Sequence, residues 1–149
     1  MTKDLRISHR KAPSLASQIL VVYRPIDQLK PDPSNPRRHS KRQIRQIADS
    51  IKAFGFNVPI LIDRDGNIIV GHGRYLACRE IGITEVPTLC LDHLSPAQAR
   101  AFMIADNRLS EIATWDDRLL AQQLGNLRGR YRLPIPGSGP RRQLDEIDC

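Results

Sequence analysis

Residues able to do chemistry gather in three short stretches of this chain. The first is Gly71-His72-Gly73-Arg74, which follows two apolar runs, Val58 to Ile62 and Ile68 to Val70, and leads into a segment of helical character. A hairpin that delivers a Gly-x-Gly-Arg loop to a helix start presents unpaired backbone N–H groups carrying roughly half a positive charge, and glycines let an anionic oxygen approach the main chain. Arg74 adds a guanidinium fork beside them. The chemistry predicted is capture of a phosphate, from a nucleotide or a nucleic acid. His72 is suited to donate to that phosphate or to act as a base near neutral pH, and equally to cap the helix.

The other two stretches are Asn35-Pro36-Arg37-Arg38 and Asp106-Asn107-Arg108, each flanked by core residues and so able to converge on the first. The candidate phosphate ligands are therefore Gly71, His72, Gly73, Arg74, Asn107, Arg37 and Arg38, and the candidate bases are His72 and Asp106. Each stretch has a plainer reading: a glycine pair marks tight packing, Asn35 to Arg38 a solvated turn, and Asp106 with Asn107 a polar helix face. No second His, Cys or acidic cluster lies at ligand spacing around His72, which argues against a metal held by protein alone. No nucleophile motif is present, and Cys78 falls a turn beyond the glycine loop.

Elements that would position these residues are legible in the hydrophobic pattern. Ile19 to Tyr23 reads as a strand, followed by a proline-rich turn from Pro31 to His39. Ser40 and Gln43 have capping-box spacing, and Ile44, Ile47, Ala48, Ile51 and Phe54 continue at helical intervals to a stop at Gly55. Lys41, Arg42 and Arg45 fall on the basic side of that helix and are candidate DNA contacts. Asp65-Gly66 reads as a tight turn between the two hairpin strands, and a helix is expected from Gly73 to Ile81. Glu85 to Leu91 is a strand in which Pro87 suggests an edge or a strand start. Ser95-Pro96-Ala97-Gln98 opens a further helix with an apolar stripe of Ala101, Ile104, Ala105, Leu109 and Ile112. Thr114 opens the last, with Trp115, Leu119, Leu120, Leu124 and Leu127 expected on its buried side.

At 149 residues, 40% of them hydrophobic, the chain suits one domain with a modest core. The expected boundaries are a basic arm at 1–18, the domain at 19–127, and a disordered basic tail at 128–149 in which any helix from Gln143 to Ile147 is nascent. A net charge of +7 favours polyanionic partners. Three unpatterned cysteines, no signal peptide and no bilayer-length apolar run make a cytoplasmic setting without membrane contact the expectation.

Taken in order, these segments resemble the N-terminal domain of the ParB family, which shares its fold with sulfiredoxin. The resemblance is carried by Asn35-Pro36-Arg37, the helix ending at Phe54-Gly55, Val58-Pro59-Ile60, Gly71 to Arg74, Ile81-Gly82 and Val86-Pro87, and covers about Ile19 to Leu127. It is closest to ParB-like domains found beside phage- and plasmid-type DNA methyltransferases, where a Gly-His-Gly-Arg turn and an Ala-Asp-Asn-Arg-Leu segment (Ala105 to Leu109) recur. The implied fold is α+β: a small mixed sheet with a hairpin, packed by helices and followed by C-terminal helices. Partition-type members bind CTP, so the resemblance implies that Gly71, Gly73 and Arg74 face phosphates of CTP or ATP. It implies that Asn107 helps hold the triphosphate and its Mg2+, with Arg37 and Arg38 near the same pocket.

Departures from the family pattern shape the functional expectation. Partition proteins usually carry Gly-Glu-Arg-Arg where this chain has Gly71 to Arg74, which argues against CTP hydrolysis. The sulfiredoxin cysteine position is taken by His72 or its neighbour, so the reductase reading fails. After Thr114 there is room for one helix, too little for a helix-turn-helix reader, and DNA contact is expected to be phosphate-based. The first expectation is a nucleotide- or DNA-phosphate-binding accessory of a mobile element, serving partition, regulation or DNA modification, nucleoid- or plasmid-associated. The alternatives are a nucleotide hydrolase or nuclease, and an interaction domain for a DNA methyltransferase. A homodimer is a further expectation.

Overall fold

The computed structural model describes residues 19–127; the expected arm at 1–18 and tail at 128–149 lie outside them. Along the chain run β1 (Val21–Pro25), a 3-10 turn (Ile26–Gln28), α1 (Lys41–Phe54), β2 (Ile60–Ile62), β3 (Ile68–Val70), α2 (His72–Glu80), β4 (Glu85–Cys90), α3 (Pro96–Ile112) and α4 (Asp117–Leu127). The strands form one mixed sheet in the order β1-β4-β2-β3. β1 and β4 are antiparallel, β4 and β2 parallel, and β2 and β3 antiparallel.

The short β-branched runs fill the centre. Ile60, Ile62, Ile68 and Val86 are buried with Ile26, Leu29, Tyr75 and Cys78. Each such aliphatic side chain removed from water contributes about 1.5–3 kcal/mol, which is why three-residue strands suffice here. The buried hydroxyl of Thr88 donates to the Val22 carbonyl at 2.7 Å and so is not left unpaired. α1 lies against α2, with Ala48 buried and Ile44, Ile47 and Ile51 half-buried beside it.

Several expectations shift. The first strand is Val21–Pro25 rather than Ile19 to Tyr23, and Ile19 to Tyr23 are all exposed because β1 is a sheet edge. Pro87 is in an interior strand, not an edge. It is tolerated because it pairs with Tyr23 on one side only, the ladder to β2 starting at Thr88. The hairpin turn is five residues long, organised by Asp63, whose Oδ1 accepts from the amides of Asp65 (2.9 Å) and Asn67 (2.8 Å). The stripes of α3 and α4 are not core: Met103 alone is buried on α3, and nothing on α4. Neither helix has a second layer above it, so a periodic stripe finds no partner among the described residues.

Candidate functional site

β3 ends at Val70 and passes directly into α2 through Gly71, whose φ of +108° is in the left-handed region that glycine alone enters without strain. Gly71 caps the helix without a side-chain bond, and its carbonyl accepts first from Tyr75 N–H at 3.0 Å. The amides of His72, Gly73 and Arg74 thus form an uncapped first turn, the partial positive pole of the helix.

Arg74 folds back over this corner. Its Nη2 donates to the Pro59 carbonyl at 3.3 Å, while its Nε is buried with no hydrogen-bond partner among the described residues. A Cβ on Gly71 would fall 3.1 Å from that Nη2 and 3.3 Å from Ile60 Cγ1, so the missing side chain also makes room for the guanidinium. Burial pulls Arg74 below its usual value, opposed by the nearby Asp106 and Cys78. A buried charged donor left unpaired is costly, and an incoming oxygen would relieve it once the guanidinium swings off the Pro59 carbonyl. Cys78 itself is pushed up to about 11 by burial and is no nucleophile.

Gly73 serves packing. A Cβ there would stand 3.0 Å from both His39 Cε1 and Ile47 Cδ1, so its absence lets the Pro31 to His39 loop and α1 close on α2. His72 is turned into the same contact: its ring is buried, and Nε2 accepts the Asp32 backbone N–H at 3.2 Å. Burial lowers its pKa, with Asp32 raising and His39 lowering it, which agrees with a neutral acceptor ring.

The three stretches do converge. Asn35 Oδ1 accepts the Arg37 backbone N–H at 3.1 Å, fixing the loop so that Arg37 Nη1 reaches Asn107 Oδ1 at 2.9 Å and Ser110 Oγ at 3.3 Å on α3. Arg38 is exposed, as are Lys41, Arg42 and Arg45 on α1, the last 3.9 Å from Glu80. Asp106 is half-buried and bears on Arg74. Sequence reasoning missed Ser110, Asp32 and His39. Ser110 had a signal, since it stands one helical turn beyond Asn107; Asp32 acts through its backbone and had none. Among the described residues no cluster of three or more His, Cys, Asp or Glu could hold a metal, and no helix is long and apolar enough to cross a membrane. Mg2+ would have to arrive with phosphates, and Asn107 Oδ1, now held by Arg37, would have to be released to meet it.

A four-stranded mixed sheet whose hairpin runs straight into an uncapped, arginine-flanked helix start defines a class of small α+β domains. The model of the ParB N-terminal domain matches residues 10–108, two-thirds of the sequence, and the chain belongs to that family. The ParB-like nuclease domain-containing protein YnaK of Escherichia coli is 40% identical over 84 residues, 56% of this chain and 97% of that protein. The probable chromosome-partitioning protein ParB of Rickettsia prowazekii is 40% identical over 76 residues, which cover half of this chain but 26% of its relative. Among solved structures, C-terminally truncated ParB from Caulobacter crescentus, complexed with CTP-γ-S, superposes with a TM-score of 0.63 at 23% identity, covering 72% of this chain and 62% of that one. This last likeness is one of fold.

Proposed function

We propose that this chain is a nucleotide- and DNA-phosphate-binding module of the ParB type. The amides of residues 72–74, Arg74 and Asn107 would take the phosphates of CTP or ATP with Mg2+, Arg37 and Arg38 would lie beside them, and Lys41, Arg42 and Arg45 would meet DNA phosphate. The observation that carries the reading is the buried Nε of Arg74, without a partner among the described residues, at a bare helix start. The Caulobacter protein, which shares the fold, is complexed with CTP-γ-S, and that supports a nucleotide as the ligand. Service to partition, regulation or DNA modification on a mobile element, with a second copy or a DNA methyltransferase as partner, extends the same reading.

Titration with CTP, ATP and GTP, each with and without Mg2+ and duplex DNA, tests it. A ligand at about 100 times its Kd that binds only the folded state adds about 2.7 kcal/mol of stability. CTP or ATP should raise the melting temperature accordingly, and Arg74→Ala should abolish the rise. No shift with any nucleotide refutes the pocket.

A second reading, nuclease or nucleotide hydrolase, is favoured by the name of the YnaK relative, nearly all of which this chain matches. Asp106 would be the base, because His72 Nε2 is already engaged. Plasmid nicking or phosphate release with Mg2+, lost in Asp106→Asn, would support catalysis; neither in the wild type would leave binding alone.

A further inference from the structure

The Pro31 to His39 loop meets α2 through a bond that phosphate capture does not use. The Asp32 N–H donates to Nε2 of His72, whose side chain is buried. An imidazole nitrogen accepts only while it lacks a proton, so this bond requires the neutral ring; protonation sets two N–H donors against each other. The Asp32 carboxylate is turned toward Ser34, its Oδ1 accepting from Ser34 N–H at 2.8 Å and Ser34 Oγ at 2.6 Å, so a protonated ring would have Oδ2 alone to turn to, at the cost of the backbone bond. The titratable groups bearing on the ring are Asp32 and His39 of the loop, with Arg100 of α3 acting on Asp32 in turn. α1 brings the apolar end of Ile47 to the neighbouring Gly73, and His39 pairs its Nδ1 with Gln43 Oε1 at 3.1 Å.

Five residues along the same loop, Arg37 grips Asn107 and Ser110. Beside that grip, α3 is held by its packing against β3, with Met103 its one buried residue. We propose that His72 is a positioning residue: its neutral ring pins the loop at Asp32, and its protonation frees the loop and loosens the hold of Arg37 on α3. The attachment of α3 to the sheet is thereby made pH-sensitive. Burial holds the imidazole below its usual value of 6.5, with Asp32 opposing and His39 assisting. Because the folded value is depressed, the stabilisation is complete above the unfolded value near 6.5 and is lost as pH falls through the folded one.

Nitrogen-15 NMR of the full chain, with no nucleotide present, tests this apart from the phosphate reading. At pH 8 the His72 ring should carry its proton on Nδ1. As the ring titrates, the Asp32 amide should lose about three- to tenfold of its exchange protection, corrected for intrinsic rate, and the Asn107 side-chain amide should shift with the same midpoint. His72→Gln, which keeps an acceptor that does not titrate, should remove the step, and His39→Gln should keep it. A proton on Nε2 at pH 8, a step surviving in His72→Gln, or an Asn107 signal indifferent to His72 would overturn the proposal. Should His72→Gln fail to fold, the wild-type ring tautomer and the shared midpoint decide.

Discussion

Single atoms decide what the hairpin tolerates. Gly66 has a φ of +82°, its carbonyl accepts from Lys30 N–H at 2.8 Å, and a Cβ there would stand 2.7 Å from the Gln28 carbonyl oxygen. That oxygen belongs to the backbone and cannot rotate aside. Gly82 shares the left-handed conformation, φ +75°, but has nothing within 4 Å of the same point. Left-handed strain for a non-glycine residue is about 1–2 kcal/mol, so Gly82→Ala should cost about that much. Gly66→Ala adds the clash and should cost about 2–4 kcal/mol. Urea unfolding of the two variants isolates the steric part; equal losses would mean that the hairpin can move off Gln28. The same distinction applies at Gly71 and Gly73. The sequence announces two glycines before a helix, but one is needed for its φ and its room for Arg74, the other for the approach of His39 and Ile47.

At the level of elements, what could be read from the sequence was the existence of each helix and strand, and what could not was the side each would bury. Ser95 and Gln98 form the full capping box that their spacing predicts, whereas Ser40 receives the Gln43 amide and Gln43 turns its side chain to His39. A period of 3.6 reports a stripe but not a partner: Leu109, Ile112 and Trp115 are 67%, 72% and 77% exposed. Within the candidate site, the glycine loop follows from its residue types, and the Arg37–Asn107 meeting joins a charged group in a turn to an amide on a helix, both in stretches whose polar side chains stand out in the sequence. The His72–Asp32 bond uses a backbone donor, which every residue but proline possesses, so no residue type betrays it. These exposures make a prediction. Ile112→Ser and Trp115→Ser should each change stability by less than about 0.5 kcal/mol, against about 2–5 kcal/mol for Met103→Ala. The single tryptophan should also fluoresce at long wavelength and be quenched freely by iodide in the native protein. A destabilisation above 1 kcal/mol at Trp115, by the scale of ordinary surface substitutions, would mean that something covers α3 and α4 in solution.

Across the whole molecule the net charge of +7 acts as a field, and α1 shows where it is concentrated at some cost to the fold. Lys41 and Arg42 occupy the first turn of α1, which carries no acidic residue, so both cations face the positive end of the helix dipole. Each such placement is unfavourable by about 0.3–1 kcal/mol at low salt. Packing does not explain them, since both side chains are exposed. A polyanion lying along α1 would. The double variant Lys41→Ala, Arg42→Ala should therefore raise the stability of the free protein slightly while weakening its binding to duplex DNA. If both residues neutralise phosphates, the slope of log K against log salt should fall in magnitude by about 2, one counterion set for each contact. Arg45→Ala should do less, because Glu80 at 3.9 Å already shares its charge. The effect should be uniform across DNA sequences, since phosphate contacts position a protein without reading bases. A more stable variant with an unchanged salt slope would separate the two findings: the charges would still oppose the helix, but their counterpart would not be DNA.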